Sequence, residues 1–245
     1  MCTLAVAIRS DPRWPLVVAA NRDERLGRPA EGWGLRAGAN GIRLAAPRDL
    51  QAGGTWIGVS SRGIFAAVTN YRLPSDHYPD PRKRSRGELV GLALAHPSAE
   101  AAREALGAVD TGHFNPFHLF VGDGESAFLW WYDGEAFAFE GLGPGLHVVT
   151  ETSPHGQCPR ADSVRTRWPV DLDVGALREL LSSHSAAPWS SACIHLDPHY
   201  GTRSTAVLRL APSLGHSELY ATTGPPCTTP LEDRSGLLAA LGRSA

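Results

Sequence analysis

Residues 1–24 read MCTLAVAIRSDPRWPLVVAANRDE and contain two apolar runs, at 3–8 and 16–20, joined by a short turn at 11–15. Runs of this length and composition predict two strands that pair as an antiparallel hairpin. Such pairing brings the end of the second strand, and the polar residues 21–24 that follow it, back beside the start of the first. Functional sites are commonly built from polar residues where strands end.

Further apolar runs of strand length follow along the chain, at 55–59, 64–69, 118–121, 128–132, 136–140, 147–150, 192–196, 205–210 and 218–222. Tight turns such as Ser60-Ser61-Arg62-Gly63 and Asp133-Gly134 are typical of hairpins, so mainly antiparallel sheets are predicted. Helical periodicity appears at 87–95, 99–109, 160–167, 174–183 and 231–241. We therefore predict one α+β domain over residues 1–245, with helices packed on antiparallel sheets.

The composition excludes several classes of protein. With 42% hydrophobic and 20% charged residues in a chain of 245, the sequence is too apolar to be mainly disordered. A formal net charge of −2 lacks the basic excess of a nucleic-acid-binding protein. No uncharged apolar run reaches the roughly 18 residues of a membrane span, and Arg9, Asp11 and Arg13 interrupt the only signal-like stretch. We expect no membrane span and a cytoplasmic location.

The four cysteines, Cys2, Cys158, Cys193 and Cys227, form no CxxC pair and have no histidine at the spacing of zinc ligands. Their pattern is not that of a disulfide framework. None of the histidines forms an HExxH motif. The sequence therefore predicts neither a metal site nor a cofactor.

Cys2 differs from the other cysteines by its position. Removal of Met1 would place a thiol and a free α-amine on one residue. An ordinary thiol has a pKa of about 8.5 and an α-amine one of about 7.7–8.0, so the amine can take the thiol proton. Cys2 is therefore a candidate N-terminal nucleophile. The alternative is that position 2 merely tolerates a small residue.

The motif Asn21-Arg22-Asp23-Glu24 directly follows the second predicted strand. If the predicted hairpin forms, Asp23 or Asn21 can reach the Cys2 amine, and both are candidate catalytic residues. Arg22 is a candidate substrate-binding residue. The alternative interpretation is a solvated turn in which Arg22 pairs with Asp23 or Glu24.

Later motifs add further candidates. Asn70 follows a predicted strand, where its amide can donate to a developing oxyanion; alternatively, it is a turn-forming asparagine. Trp56 and Tyr71, in the same predicted hairpin, are candidate substrate contacts, although aromatic residues are more often found in a core or at its rim. Arg203 can bind a carboxylate or phosphate through two N–H groups, but capping of a surface turn is the commoner role.

Seven motifs, taken in order, resemble the NRDE family, also called the transport and Golgi organisation family. They are Met1-Cys2, Asn21-Arg22-Asp23-Glu24, Gly53-Gly54-Thr55-Trp56-Ile57-Gly58, Val68-Thr69-Asn70-Tyr71, Arg86-Gly87-Glu88-Leu89, Asn115-Pro116-Phe117 and Tyr200-Gly201-Thr202-Arg203. The resemblance spans nearly the whole chain. It implies the four-layer αββα fold of N-terminal nucleophile hydrolases, which is also the fold of bile salt hydrolases and penicillin V acylases.

The resemblance also implies roles for four residues. Cys2 matches the nucleophile of these relatives, Asn21 and Asp23 match the Asn-x-Asp after their second strand, and Asn70 matches their oxyanion-hole asparagine. The relatives have an arginine just before the Asn-x-Asp motif, whereas this chain has Ala20 there and an arginine inside the motif.

A second departure concerns Glu151. The relatives have an asparagine after a threonine at the end of a later strand, where this chain has Thr150 followed by Glu151. An ionised carboxylate at that point would repel an oxyanion.

From these residues we expect a hydrolase that cleaves an amide or a thioester of a small molecule through an acyl-Cys2 intermediate. The competing interpretation is a non-catalytic carrier or chaperone that binds haem, acyl-CoA or another hydrophobic ligand in the same cleft. In that case Cys2 or a histidine would be an iron ligand.

Overall fold

A computed structural model describes residues 3–72 and 79–243, which form strands and helices in the following order. The strands are β1 (Thr3–Asp11), β2 (Trp14–Arg25), β3 (Ala30–Ala37), β4 (Arg43–Asp49), β5 (Ile57–Ser60), β6 (Phe65–Asn70), β7 (Phe117–Gly122), β8 (Ala127–Tyr132), β9 (Phe137–Gly141), β10 (Gly145–Thr150), β11 (His195–Asp197), β12 (Tyr200–Leu210), β13 (Glu218–Ala221) and β14 (Glu232–Asp233). The α-helices are α1 (Gly87–Leu94), α2 (Ala99–Gly107), α3 (Pro159–Thr166), α4 (Val174–Leu181) and α5 (Ser235–Gly242).

The strands form two sheets in which neighbouring strands run antiparallel. Sheet 1 has the order β10-β1-β2-β12-β13-β14, with β11 paired to β12, and sheet 2 has the order β3-β4-β5-β6-β7-β8-β9. The predicted hairpin of β1 and β2 is confirmed, and its register pairs Thr3 with Asn21. Thr3 also pairs with Thr150 of β10. The start of β1 therefore lies between the ends of two neighbouring strands.

Alternation along β1 shows how sheet 1 contributes to two cores. Leu4, Val6 and Ile8 join the core between the two sheets. Ala5 and Ala7 join a second core, formed with α3 and α4. This division follows from the geometry of a strand, in which successive side chains point to opposite faces.

The helices complete the outer layers. Leu89 and Val90 of α1 and Leu106 of α2 pack against sheet 2. Val164 of α3 and Leu177 of α4 pack against the outer face of sheet 1. The predicted four-layer αββα arrangement is therefore confirmed.

The five α-helices of residues 3–72 and 79–243 are short, and the longest, α2, has nine residues. None of them is long and apolar enough to cross a membrane. A cytoplasmic location stays a prediction.

Five elements differ from the sequence expectations. Strand β2 continues to Arg25, so the motif at 21–24 that was predicted to follow this strand lies within it. Strands β3 and β4 were not predicted. Strand β3 is largely exposed and contains two glycines, and none of the buried residues of β4 is β-branched: Leu44, Ala45, Ala46 and Pro47. The helix predicted at 231–241 begins only at Ser235, after the short edge strand β14. The strand predicted at 192–196 is β11, which begins at His195.

Candidate active site

A buried cluster of charged side chains lies near the start of β1. It consists of Arg160 from α3, Asp23 from β2 and Glu151, which directly follows β10. Arg160 of α3 donates from Nη1 to Asp23 Oδ2 at 3.1 Å and to Glu151 Oε2 at 3.2 Å. The same nitrogen lies 3.5 Å from Oγ1 of Thr3, the residue that follows Cys2 in the sequence. Arg160, Asp23 and Glu151 are 2%, 2% and 8% exposed. The Arg160 guanidinium therefore forms buried ion pairs with two carboxylates.

Asp23 is held on its other side by Thr202 of β12. Thr202 Oγ1 donates to Asp23 Oδ1 at 2.7 Å and accepts from the Ile194 amide at 2.9 Å. At Gly201 a Cβ atom would lie only 2.8 Å from the Ile194 carbonyl oxygen. The absence of a side chain at this position lets the two backbones approach and brings Thr202 to the carboxylate.

Burial raises the pKa of Asp23 above its ordinary value, with Arg160 opposing the effect. The pKa of Glu151 is also raised, first by burial and then by the neighbouring Asp23 carboxylate, again against Arg160. Both carboxyl groups therefore hold their protons to higher pH than exposed ones. A Glu151 side chain that is protonated or paired with Arg160 repels an oxyanion less than a free carboxylate would.

Asn21 is completely buried and belongs to the side of β2 that faces α4. Its Nδ2 donates to the carbonyl oxygens of Leu181 at 2.9 Å and Ala192 at 2.7 Å. Its Oδ1 accepts from Thr205 Oγ1 at 2.5 Å. These bonds make Asn21 a bridge between α4, the 192–194 segment and β12. A catalytic role for Asn21 stays a prediction.

A cleft of about 1060 Å³ opens between the end of β2 and the start of α1. Three of the predicted site residues, Arg22, Trp56 and Asn70, line it. The Arg22 guanidinium carbon lies 4.2 Å from the centroid of the Trp56 ring, within the range of a cation–π contact. Arg22 Nη2 also lies 3.6 Å from Glu24 Oε2. Burial lowers the pKa of Arg22 below that of a solvated arginine.

The lining of the cleft carries more basic than acidic side chains among the described residues. The basic ones are Arg22, Arg25, Arg28, Lys83, Arg84 and Arg86, and the acidic ones are Glu24, Asp49, Asp80 and Glu88. Arg28 pairs with Asp49 at 2.8 Å, and Arg84 pairs with Glu88 at 2.6 Å. The remaining excess of positive charge favours a ligand with an anionic group.

Arg22 and Asp23 are neighbours in sequence but lie on opposite faces of β2. Val18 and Ala20 belong to the core between the sheets, whereas Ala19 belongs to the core under α3 and α4. By the same alternation, Arg22 reaches the cleft and Asp23 reaches the cluster around Arg160. Near its end, β2 therefore contributes Arg22 to the cleft on one face and Asp23 to the Arg160 cluster on the other.

The remaining predicted residues lie elsewhere. Neither Tyr71 nor Arg203 is among the described residues that line the cleft. The Tyr71 ring packs on His118, with centroids 4.3 Å apart, and Arg203 Nη1 donates to the Leu26 carbonyl oxygen at 2.5 Å. Their roles in substrate binding stay predictions. Cys2 lies outside the described residues.

Sequence reasoning did not find Arg160 and Thr202. Arg160 is 137 residues from Asp23 in the sequence, and Thr202 is 179 residues from it. Thr202 lies within the Tyr200-Gly201-Thr202-Arg203 motif, of which only Arg203 was predicted as a site residue. The usable signal was that a carboxylate in a buried strand needs a cationic partner, although spacing along the chain does not identify it.

Solved structures with the same fold are N-terminal nucleophile hydrolases. Penicillin V acylase from Agrobacterium tumefaciens has a TM-score of 0.52 and 16% identity, covering 97% of this chain and 88% of its own. The C2A mutant of conjugated bile acid hydrolase from Clostridium perfringens has a TM-score of 0.56 and 13% identity, covering 98% and 94%. The Caenorhabditis elegans ortholog of N-acylethanolamine-hydrolyzing acid amidase has a TM-score of 0.58 and 14% identity, covering 85% and 92%. The chain has the N-terminal nucleophile hydrolase fold.

The family model described as Transport and Golgi organisation 2 matches residues 1–169. The human Transport and Golgi organization protein 2 homolog is 33% identical over 261 residues, covering 86% of this chain and 89% of the relative. The mouse homolog is 36% identical over 132 residues, which cover 48% of this chain and less than half, 44%, of that relative. The chain belongs to the Transport and Golgi organisation 2 family, as the sequence motifs predicted.

Proposed function

We propose that the protein is an N-terminal cysteine hydrolase that cleaves an amide or a thioester through an acyl intermediate on Cys2. The observation that carries this proposal is the buried Asp23 carboxylate, held by Thr202 and Arg160 beside Thr3. A fixed carboxylate beside the residue that follows Cys2 is what an N-terminal nucleophile needs to hold its α-amine.

In the proposed reaction the α-amine of Cys2 takes the thiol proton, and the Asp23 carboxylate binds the resulting ammonium group. The thiolate attacks the acyl carbonyl and forms a C–S bond, while Asn70 donates to the oxyanion. Collapse of the tetrahedral intermediate breaks the bond to the leaving amine or thiol, which takes the proton from the ammonium group. Water then hydrolyses the acyl-enzyme through the same groups, which returns the free thiol and a carboxylic acid.

This reaction needs an amine-binding group and an acyl-binding cleft next to the same strand end. Asp23 supplies the first on one face of sheet 1, and the cleft lined by Arg22, Trp56 and Asn70 supplies the second on the other. The juxtaposition of the two faces at the end of β2 supports catalysis over simple ligand storage.

The charges of the cleft support an acyl substrate that also carries an anionic group. The guanidinium of Arg22 lies against Trp56 and near Glu24 in the cleft wall, and the cleft lining has six basic and four acidic side chains. An uncharged hydrophobic ligand fits such a wall less well, because its binding would desolvate charged groups without pairing them. The carrier interpretation is therefore the weaker one for ligands without an acidic group.

The test uses the full chain, a long-chain acyl-CoA as the thioester and an N-acyl amino acid as the amide. Both probes carry an anionic group but differ in the bond to be cleaved. Comparing their turnover therefore separates thioester hydrolysis from amide hydrolysis. We expect product release together with an acyl adduct on the peptide that begins at Cys2, with Met1 removed. Cys2→Ala should abolish both signals, and the control Cys158→Ala should retain them.

Equal turnover by Cys2→Ala would contradict the proposal. Retention of Met1 in the active protein would do the same, since no α-amine would then stand beside the thiol.

A further inference from the structure

Four potential metal ligands, three from residues 184–195 and one from Cys227, meet at one end of sheet 1. His184 follows α4, Cys193 precedes β11, His195 is the first residue of β11, and Cys227 follows β13. One ligand atom from each side chain lies within 4.8 Å of those of the other three. This cluster is separate from the cleft and from the Arg160 cluster.

The distances among three of the four ligands match those of a tetrahedral zinc site. Cys193 Sγ lies 3.7 Å from Cys227 Sγ, and His195 Nε2 lies 3.3 Å from Cys227 Sγ and 3.7 Å from Cys193 Sγ. With Zn–S bonds of about 2.3 Å and Zn–N bonds of about 2.0–2.1 Å, the edges of a tetrahedron are about 3.8 Å between two sulfurs and about 3.5 Å between sulfur and nitrogen. The ring of His184 completes the group, 5.4 Å from that of His195 between centroids.

We propose that His184, Cys193, His195 and Cys227 bind one Zn²⁺ ion. Two thiolates and two imidazoles are a ligand set typical of structural zinc, and four protein ligands leave no position open for a substrate. Binding releases one proton from each thiol, because zinc coordinates the thiolate. Cys193 is buried and both histidines are exposed, so the ion can enter from the histidine side.

The proposed zinc ion fastens the segment that supports two residues of the candidate active site. Cys193 lies between Ala192, whose carbonyl oxygen accepts from Asn21, and Ile194, whose amide donates to Thr202. Thr202 in turn donates to Asp23. Zinc would tie this segment to the chain after α4 and to the chain after β13. Its role is therefore structural and does not depend on the proposed hydrolase activity.

The spacing of the ligands along the chain is unlike that of known zinc motifs, which explains why the sequence did not reveal the site. Cys193 and Cys227 are 34 residues apart, and the short Cys193–His195 pair lacks the separation usual in zinc motifs. The sequence predicted no metal site because the ligands have no recognisable spacing. The fold brings their ligand atoms within 4.8 Å of one another.

The direct test measures metal in the full chain produced in zinc-supplemented medium and purified without chelator. We expect about one zinc per chain by elemental mass spectrometry, and an X-ray absorption spectrum that fits two sulfur and two nitrogen ligands. A strong chelator should lower the midpoint of thermal unfolding, and added Zn²⁺ should restore it.

Variants assign the ligands. Cys227→Ser and His184→Asn should each weaken zinc binding by at least about tenfold, since loss of an outer-shell partner alone costs that much. Cys158→Ser is the matched control, because Cys158 lies outside the cluster, and it should retain the full zinc content. Far-ultraviolet circular dichroism checks that each variant is folded.

Three results would overturn the proposal. The first is a wild-type protein without stoichiometric zinc that gains no thermal stability from added Zn²⁺. The second is a disulfide between Cys193 and Cys227 in non-reduced peptide maps of freshly purified protein. The third is an absorption spectrum of the bound zinc that lacks sulfur ligands. All three use the wild-type protein, so a variant that fails to fold does not prevent the decision.

Discussion

The Thr202 hydroxyl donates a 2.7 Å hydrogen bond to Asp23 across 179 residues of sequence, and both side chains are buried. The same oxygen accepts from the Ile194 amide, so it links the carboxylate to the segment that contains Cys193. This single hydroxyl therefore connects the candidate active site to the proposed zinc site.

Replacement of Thr202 by Val should reduce the free energy of unfolding by about 1–3 kcal/mol, because it leaves a buried amide without its acceptor and the carboxylate without one donor. Thr202→Ser retains the hydroxyl and should lose clearly less. Urea unfolding of the two variants and the wild type measures the difference. A larger loss in Thr202→Ser than in Thr202→Val would show that the methyl group, and not the hydroxyl, matters here.

Arg160→Met should destabilise the fold by about 3–5 kcal/mol, because it leaves the carboxylates of Asp23 and Glu151 buried without a cation. Adding Glu151→Gln and Asp23→Asn to this variant should recover part of the loss, since neutral amides cost less to bury than carboxylates. The measurement is the midpoint of denaturant unfolding at constant m value.

Arg167→Met is the control for Arg160, because Arg167 is exposed at the end of α3 and its loss should cost less than about 0.5 kcal/mol. If the variant that combines Arg160→Met, Glu151→Gln and Asp23→Asn is no more stable than Arg160→Met alone, the unpaired carboxylates do not cause the loss of stability.

His118 gives the fold a sensitivity to acid. Burial lowers the pKa of His118 from 6.5 to about 3, and its Nδ1 lies 3.1 Å from Thr69 Oγ1. Below pH 6.5 the unfolded chain gains a proton at this residue that the folded chain does not, so the free energy of unfolding falls as the pH decreases. At about pH 5 this loss amounts to about 2 kcal/mol, at about 1.4 kcal/mol per pH unit.

His118→Gln removes this titration, so its unfolding free energy should fall less steeply between pH 6.5 and about pH 5. His216→Gln, at an exposed position, should keep the slope of the wild type. The comparison requires urea unfolding at several pH values. A slope in His118→Gln as steep as in the wild type would mean that other groups cause the acid sensitivity.

Asn70→Ala should lower kcat by about 10²–10³ if its amide donates to the oxyanion, with a smaller change in KM. Asn115, which also lines the cleft, is a useful comparison, because both ends of its amide bond to the backbone of Asp80. Asn115→Ala should act mainly on KM by altering the cleft wall. The assay is steady-state hydrolysis of whichever probe acylates Cys2, and a kcat effect confined to Asn115 would remove Asn70 from the proposed mechanism.

Local patterns predicted what is local in the fold. The β1–β2 hairpin follows from the two apolar runs and the turn between them, and its register pairs Thr3 with Asn21, two residues before Asp23. The end of β2 was predicted too early, because the polar residues 21–24 lie within the strand and not after it. The contacts that complete the site are long-range, because Arg160 and Thr202 arrive on elements far along the chain. Strand β3 was missed because an exposed strand with glycines lacks the apolar alternation that identifies buried ones.

The sharing of one guanidinium by two buried carboxylates constrains how this protein can evolve. If Arg160 is replaced first, Asp23 and Glu151 are left buried without a cationic partner. If Asp23 is replaced first, the charge balance around Glu151 changes. Each single step lowers stability, although a concerted change need not. The three positions are therefore expected to be inherited together, and homologues that lack Arg160 should also differ at Asp23, at Glu151 or at both.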